Sequence, residues 1–253
     1  MAAPVAGSDV YELTAESPAP QPPASSTPPE RKAGELVAVV AHDLLEPLST
    51  VTGFLHLLER RHAAELTPDA KEILQWALRG TAEMAQRIEA LLDQARLGAM
   101  EPAIERIDLA DAVARASAAL SGSITQNDAL IEVVEGSADI DADPVLFDRA
   151  LRHLLSNAVK FRRPGLRPHV TVEAVRRGLS TDLVVSDNGV GVEPSQRERV
   201  FDMFVRADSG RPGFGIGLAQ CRSVAELHGG AIRIEDSVLG GAAVVMTFTA
   251  RPW

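Results

Sequence analysis

From residue 37 onward the apolar positions recur with a period of seven. Val37, Leu44, Val51 and Leu58 form one column, and Ala41, Leu48 and Leu55 form a second. Two interleaved columns of this kind are the seam of a coiled-coil helix. Thr67-Pro68-Asp69 then reads as an N-cap followed by proline at the first helical position. Beyond it Leu74, Thr81, Ile88 and Ala95 repeat the pattern against Leu78, Ala85 and Leu92. The pattern predicts two long helices joined by a turn at 63–67, an antiparallel hairpin over residues 34–98. One such hairpin has more apolar face than it can cover, and a homodimeric four-helix bundle buries the surplus.

After residue 98 the period changes. Asp108 caps a short helix through 119, 130–134 reads as a strand, and 143–161 reads as a long amphipathic helix. Residues 170–175 and 183–187 alternate as strands, 215–228 is helical again, and 231–235 with 243–249 close the sheet. Strands and helices mixed without regular βαβ spacing predict an α+β sandwich, helices on one face of a mixed sheet, over residues 106–253. Ahead of the hairpin the pattern is absent: seven of the chain's 16 prolines lie in the first 29 residues. Residues 1–33 are read as a disordered proline-rich tail.

Composition narrows the picture. At 253 residues and 45% hydrophobic, the chain can bury a core in one medium domain beside a smaller one. No apolar run approaches the roughly 18 residues that span a membrane, and no signal peptide is visible, which predicts a cytoplasmic protein. The single cysteine, Cys221, leaves no internal disulfide and reads as a small buried apolar group. A net charge of -10 with 4% aromatic residues argues against nucleic acid as a partner, since neither phosphate neutralisation nor base stacking is provided for.

The chemistry lies in a few polar residues set into this pattern. If Val37 and Leu44 face the seam, His42 lies just beside it on the flank of the bundle. A neutral imidazole there is a competent nucleophile, and Asp43 can hold its tautomer or take its proton. Pro47 removes the N–H that would reach the carbonyl of Asp43 and is expected to loosen the helix beside the histidine. Further on, His153, Asn157 and Lys160 share one face of the long helix. Asn157 offers a neutral oxygen of the kind that ligates Mg²⁺, and Lys160 offers a point charge for phosphate. Asp187 ends an apolar strand and is followed by Gly189 and Gly191, where backbone can approach a ligand closely. Gly213, Gly215 and Gly217 open a helix that continues through Leu218, and helix N-termini cradle phosphates. The segment 205–212 between these blocks reads as a lid, with Arg206 and Arg211 as phosphate contacts and Phe201 and Phe204 anchoring its near edge.

In this order and spacing the blocks His42-Asp43-Leu44-Leu45-Glu46-Pro47-Leu48, Asn157-Ala158-Val159-Lys160, Asp187-Asn188-Gly189-Val190-Gly191, Phe201 to Phe204, and Gly213-Phe214-Gly215-Ile216-Gly217-Leu218-Ala219 resemble the transmitter region of two-component sensor histidine kinases. The likeness runs from about Glu35 to the C-terminus. The wording around His42, with Gly53-Phe54 following, resembles most the phytochrome-like branch. The resemblance implies an ATPase domain of the Bergerat type and an ATP·Mg²⁺ site. There Asn157 is the Mg²⁺ ligand, Asp187 receives the exocyclic amine of adenine, and Lys160, Gly189, Gly191, Phe204, Arg206, Gly213, Gly215, Gly217 and Leu218 line the nucleotide. It implies autophosphorylation of His42 and onward transfer to an aspartate of a response regulator, with positioning and charge neutralisation supplying most of the rate.

The sequence departs from that pattern at two positions. Glu46 stands where many relatives carry the Thr or Asn that positions water for dephosphorylating the regulator, so phosphatase activity is not carried across. His153 stands where many have a further Asn four residues before the Mg²⁺ ligand. No sensor module is evident ahead of the hairpin, so the input is expected from a separate sensor or input protein, from the tail, or not at all. Two other readings compete: a serine kinase of the anti-sigma-factor type, which would lack the hairpin, and a catalytically silent dimeric ATP-binding scaffold.

Overall fold

The computed structural model describes residues 28–97, 100–206 and 215–249. The proline-rich tail up to residue 27 lies outside them, as does 207–214 with Arg211 and Gly213.

Helix α1 (Pro28–His62) starts six residues ahead of the boundary read from the sequence. It turns at 63–67 into α2 (Pro68–Leu97), whose first turn is capped by Thr67 Oγ1 accepting from Ala70 N–H at 3.2 Å. α1 runs unbroken through Pro47, and Thr50 and Thr52 donate back to the carbonyls of Glu46 and Leu48 on either side of it. The seam divides in two. Ala41, Leu48 and Leu55 turn toward α2 and are covered to differing degrees, whereas Leu44, Val51 and Leu58 stay exposed, with Val40 and Phe54 beside them. The side chain of Val37 lies outside the described residues. On α2 the seam residues Leu74, Thr81 and Leu92 are buried, while Ile73, Trp76, Met84 and Leu91 are open.

Past the hairpin lie the strand β1 (Glu105–Ile107), the helices α3 (Leu109–Ala119) and α4 (Ser121–Gln126), then β2 (Leu130–Val133) and β3 (Ile140–Ala142). Next come α5 (Pro144–Lys160), β4 (His169–Arg177), β5 (Ser180–Asp187), α6 (Gly217–Leu227), β6 (Ile232–Asp236) and β7 (Ala242–Thr249). The main sheet has the order β2-β4-β5-β7-β6, with β2 parallel to β4 and the other pairs antiparallel, and β1 pairs separately with β3. This is the mixed sheet the patterning predicts, with three additions: β1, β3 and α4.

One face of the sheet carries the helices. α5 turns Phe147, Ala150, Leu151, Leu154, Leu155 and Ala158 onto inward residues of the strands, among them Val172, Leu183 and Met246. Phe147 packs its ring 5.5 Å from that of Phe248, and His228 meets Phe248 edge-on at 5.3 Å. Cys221 is fully buried in this layer, and burial pushes its thiol up to about 12, so it behaves as the small apolar group expected.

A polar knot fixes α5 and α6 at their ends. Asp143 Oδ1 accepts from the N–H groups of Val145 and Leu146, capping α5, while its Oδ2 accepts from Ala103 N–H at 3.0 Å. Its own N–H donates to His228 Nε2 at 2.9 Å, and His228 Nδ1 lies 2.7 Å from the Val224 carbonyl in α6. The two partners define the tautomer: Nδ1 carries the proton and Nε2 accepts. One aspartate therefore ties the interdomain linker, the start of α5 and the end of α6. Asp143→Ala is expected to lower stability by about 2 kcal/mol, through the lost cap and the orphaned linker N–H. Asp148→Ala, which removes only a pair with the exposed Arg152, should stay within about 0.5 kcal/mol. Urea midpoints check this, and equal midpoints for the two variants would contradict it.

Candidate functional site

A cavity of about 560 Å³ opens between α5, the end of β5, α6 and the C-terminal turns of α2. That size suits a small-molecule ligand. Its deep end is built by Asp187, the last residue of β5 and 9% exposed. Asp187 Oδ1 accepts from Gly189 N–H at 2.8 Å and Ala242 N–H at 3.1 Å. Burial raises its pKa, opposed by those two N–H bonds and by the charge of Arg163. Gly241 makes the clamp feasible: a Cβ there would lie 2.2 Å from Asp187 Oδ1.

α5 supplies one wall. His153, Asn157 and Lys160 all line the cavity, so the shared helix face read from the sequence is the face that looks into it. Lys160 Nζ also stacks over the Phe161 ring at 4.8 Å. His153 is pressed beneath the start of α6, where a Cβ on Gly217 would come within 3.2 Å of its Nδ1. Burial lowers the pKa of His153, opposed by a hydrogen bond with Gln220. The imidazole is thus held neutral.

The opposite wall is the glycine block. Gly215, Gly217 and Leu218 line the cavity, and α6 begins at Gly217 behind Ile216, which provides no side-chain cap. The first turn of α6 therefore presents its N–H groups and the positive end of the helix at the cavity wall. Gly215 has φ +69 and sits 2.5 Å, at its would-be Cβ, from the Val205 carbonyl; no other residue fits. Phe204, also at positive φ (66), donates its N–H to the Gly215 carbonyl at 2.8 Å. Phe204 itself stays outside the cavity and stacks under the Arg87 guanidinium of α2 at 5.4 Å. Val205 and Arg206 line it. Gly191 also lines it, whereas Gly189 acts from behind through its bond to Asp187.

Among the lining residues that the sequence did not indicate are four from α2: Gln86, Glu89, Ala90 and Asp93. Asp93 Oδ2 accepts from Arg149 Nη1 at 2.9 Å and from Gln220 Nε2 at 3.4 Å, and Ala90 is buried. Their signal lies in the docking of two domains, which no local pattern encodes. His42 and Asp43 are exposed on α1 and do not line the cavity.

The arrangement has the features of a nucleotide site. A buried carboxylate can accept from a base amine, uncapped amides and a lysine can meet phosphates, and an Asn oxygen is of the right chemistry for Mg²⁺. Among the described residues no cluster of three or more His, Cys, Asp or Glu could hold a metal by itself. Such an ion would need a ligand's own oxygens as partners. Also among the described residues, no helix is long and apolar enough to cross a membrane.

Comparison with known proteins agrees with this geometry. Residues 32–99 match the His Kinase A (phospho-acceptor) domain, and 142–252 match the histidine kinase-, DNA gyrase B- and HSP90-like ATPase. The chain is 33% identical over 83% of its length to the methanogenesis regulatory histidine kinase FilI of Methanothrix harundinacea, of which it covers 24%. It is 34% identical to the sensor protein KdpD of Escherichia coli, over 84% of its own length and 24% of that protein's. It is 31% identical to the phytochrome-like protein Cph1 of Synechocystis, over 79% and 27% respectively. The chain thus spans about a quarter of each of these relatives, and identities so similar single out no branch. Among solved structures, full-length ShkA in complex with AMPPNP superposes with a TM-score of 0.64 at 25% identity, covering 87% of this chain and 47% of that one. The Acinetobacter baumannii histidine kinase AdeS shares the fold, with a TM-score of 0.59 at 18% identity over 83% of this chain and 98% of its own.

The lowered pKa of His153 has a sign that can be checked. Above the ordinary histidine value of about 6.5, folded and unfolded chains both hold it neutral, and it adds no pH dependence. As pH falls below that value the unfolded chain takes up a proton that the folded chain resists, so stability is lost until the lowered folded pKa is reached. Between pH 7 and 5 the denaturation midpoint of His153→Gln should therefore fall less steeply than that of the parent. Parallel profiles would contradict the assignment.

Proposed function

The chain belongs to the two-component sensor histidine kinases, of which it carries the transmitter region, and on that premise we propose that it phosphorylates its own His42 from ATP and passes the phosphoryl group to a response regulator. The observation that carries the reading is the pairing within one chain of an exposed histidine on the phosphoacceptor hairpin with a cavity built around a buried, backbone-clamped aspartate.

Asp187 binds the adenine end. Its Oδ1 is engaged by two backbone N–H groups, and Oδ2 is the oxygen for the exocyclic amine of the base. Lys160, Arg206 and the first turn of α6 orient the phosphates. Asn157 is the protein's ligand for Mg²⁺, with His153 held neutral beside it so that no competing cation sits at the metal position. Mg²⁺, when bound, offsets the negative charge on the phosphates during transfer.

In the transfer step the lone pair of the His42 imidazole attacks the γ-phosphorus. The N–P bond forms as the bond from phosphorus to the bridging oxygen breaks, and the electron pair leaves on ADP. The proton on the other ring nitrogen is held or taken up by Asp43, its neighbour. An aspartate of the receiver domain then attacks the same phosphorus and frees the imidazole. The apolar stripes left open on α1 and α2 meet those of a second copy, giving a homodimer working in the cytoplasm, with input delivered by a sensor module or partner.

Purified protein incubated with γ-labelled ATP and Mg²⁺ should take up label that is lost in acid and stable in alkali. His42→Gln should bind ATP yet take up none; label retained in that variant would remove His42 from the reaction. Asp187→Asn should weaken ATP binding by about 10- to 100-fold, the cost of one charge-assisted hydrogen bond in a buried site. Unchanged affinity in calorimetry would take Asp187 out of base recognition.

A further inference from the structure

The hairpin's two open stripes define which side of it faces outward, and that in turn says whose histidine each nucleotide site serves. At 3.6 residues per turn, the exposed apolar residues of α1 (Val40, Leu44, Val51, Phe54, Leu58) lie roughly 100° around the helix from the residues that face α2. Ile73, Trp76, Met84 and Leu91 lie about the same angle, in the same rotational sense, from the α2 residues that face α1. Because the helices are antiparallel, equal rotations of the same sense bring both stripes out on one side of the hairpin.

His42 lies about 160° from the α1 stripe, and Glu89 and Asp93 lie about 150° to 170° from the α2 stripe. The histidine and the α2 residues that line the nucleotide cavity therefore share the other side. They also share a height. Gln75 Nε2 donates to Glu59 Oε1 at 2.6 Å, which sets the register of the pair. Counting back along α1 from Glu59 to His42, and equally far forward along α2 from Gln75, reaches Leu92, the neighbour of Asp93. Ala41 and Leu92, at this level of the two helices, are both buried.

We propose that phosphoryl transfer is intramolecular: the nucleotide held by one protomer phosphorylates that protomer's own His42. The proposal rests on the kinase reading and on the dimer seam it uses. Neighbouring helix axes in such a hairpin lie about 8–10 Å apart, so the cavity mouth on α2 needs a shift of about one helix spacing to reach its own histidine. The partner's histidine projects from the far side of the bundle, beyond the seam and a second layer of helices. The chemistry is the step given above: the N–P bond forms on the protomer's own imidazole, the γ-phosphorus to bridging-oxygen bond breaks, and the electron pair departs on that protomer's ADP.

Mixed dimers, co-expressed with two affinity tags and purified through both, decide this. A dimer of His42→Gln with Asp187→Asn has an intact acceptor and an intact nucleotide site only on different subunits. It should take up less than about a tenth of the label found on wild-type dimers. A dimer of wild type with the double variant His42→Gln/Asp187→Asn has both on one subunit and should keep about half the wild-type label, one of two equivalent sites. At an ATP concentration where Asp187→Asn homodimers take up no label, label on the Asp187→Asn subunit of the first dimer, or loss of label from the second, overturns the proposal. Absence of label on wild-type dimers run alongside overturns the kinase reading instead, and the intramolecular assignment falls with it.

Discussion

The site depends on one buried carboxylate at a strand end. Asp187 closes β5, and its Oδ1 draws in the turn at Gly189 and the first residue of β7. An ionised group so deeply placed is costly, and burial moves its pKa upward. The two N–H donors and the nearby Arg163 work against that cost. Those donors reach the carboxylate only because Gly241 has no side chain and the backbone of β7 can close in. Around this point β4, β5 and β7 are held in register, and their inner faces support α5 and α6, the two walls of the cavity.

The contact between hairpin and ATPase domain is of a different strength. Its ion pair, Asp93 with Arg149, has side chains 31% and 35% exposed, and such a pair contributes at most about 1 kcal/mol once solvent screening is allowed for. The stack of Arg87 over Phe204 and the bond from Gln220 add comparable small amounts. The core of the ATPase domain, by contrast, buries large side chains such as Phe147, Leu151 and Phe248. A strong domain weakly docked on a helix can move without unfolding. The proposed transfer to His42, which lies outside the cavity, requires that motion, and the small docking energy is what permits it.

Elements with long repetitive patterns were legible in the sequence. The hairpin follows from its heptads and from Thr67-Pro68, α5 from its eight buried apolar positions, and α3 from the cap at Asp108. β1 and β3 were not legible. Each has three residues and pairs only with the other, so neither carries enough alternation to register as a strand. Asn157, Lys160, Asp187, Gly215, Gly217 and Leu218 could be picked out because helix face, strand end and glycine spacing are local signals. The α2 residues at the cavity could not, since Glu89 and Asp93 reach it only through the docking of the ATPase domain, which leaves no local signal. The role of Gly241 beside Asp187 carries no local signal either, because it arises from a pairing across the sheet. The match of residues 32–99 to a phosphoacceptor domain is the feature that a serine kinase of the anti-sigma type would lack.

The most direct test of the whole account compares ATP with GTP as phosphoryl donors to His42, read by intact-protein mass as the gain of one phosphoryl group. Adenine presents an amine where guanine presents a carbonyl, and a buried carboxylate accepts from the first and repels the second. The account predicts phosphorylation from ATP and a rate from GTP lower by about 100-fold or more. Equal rates from the two donors, or a phosphoryl group found elsewhere than on His42, would contradict it.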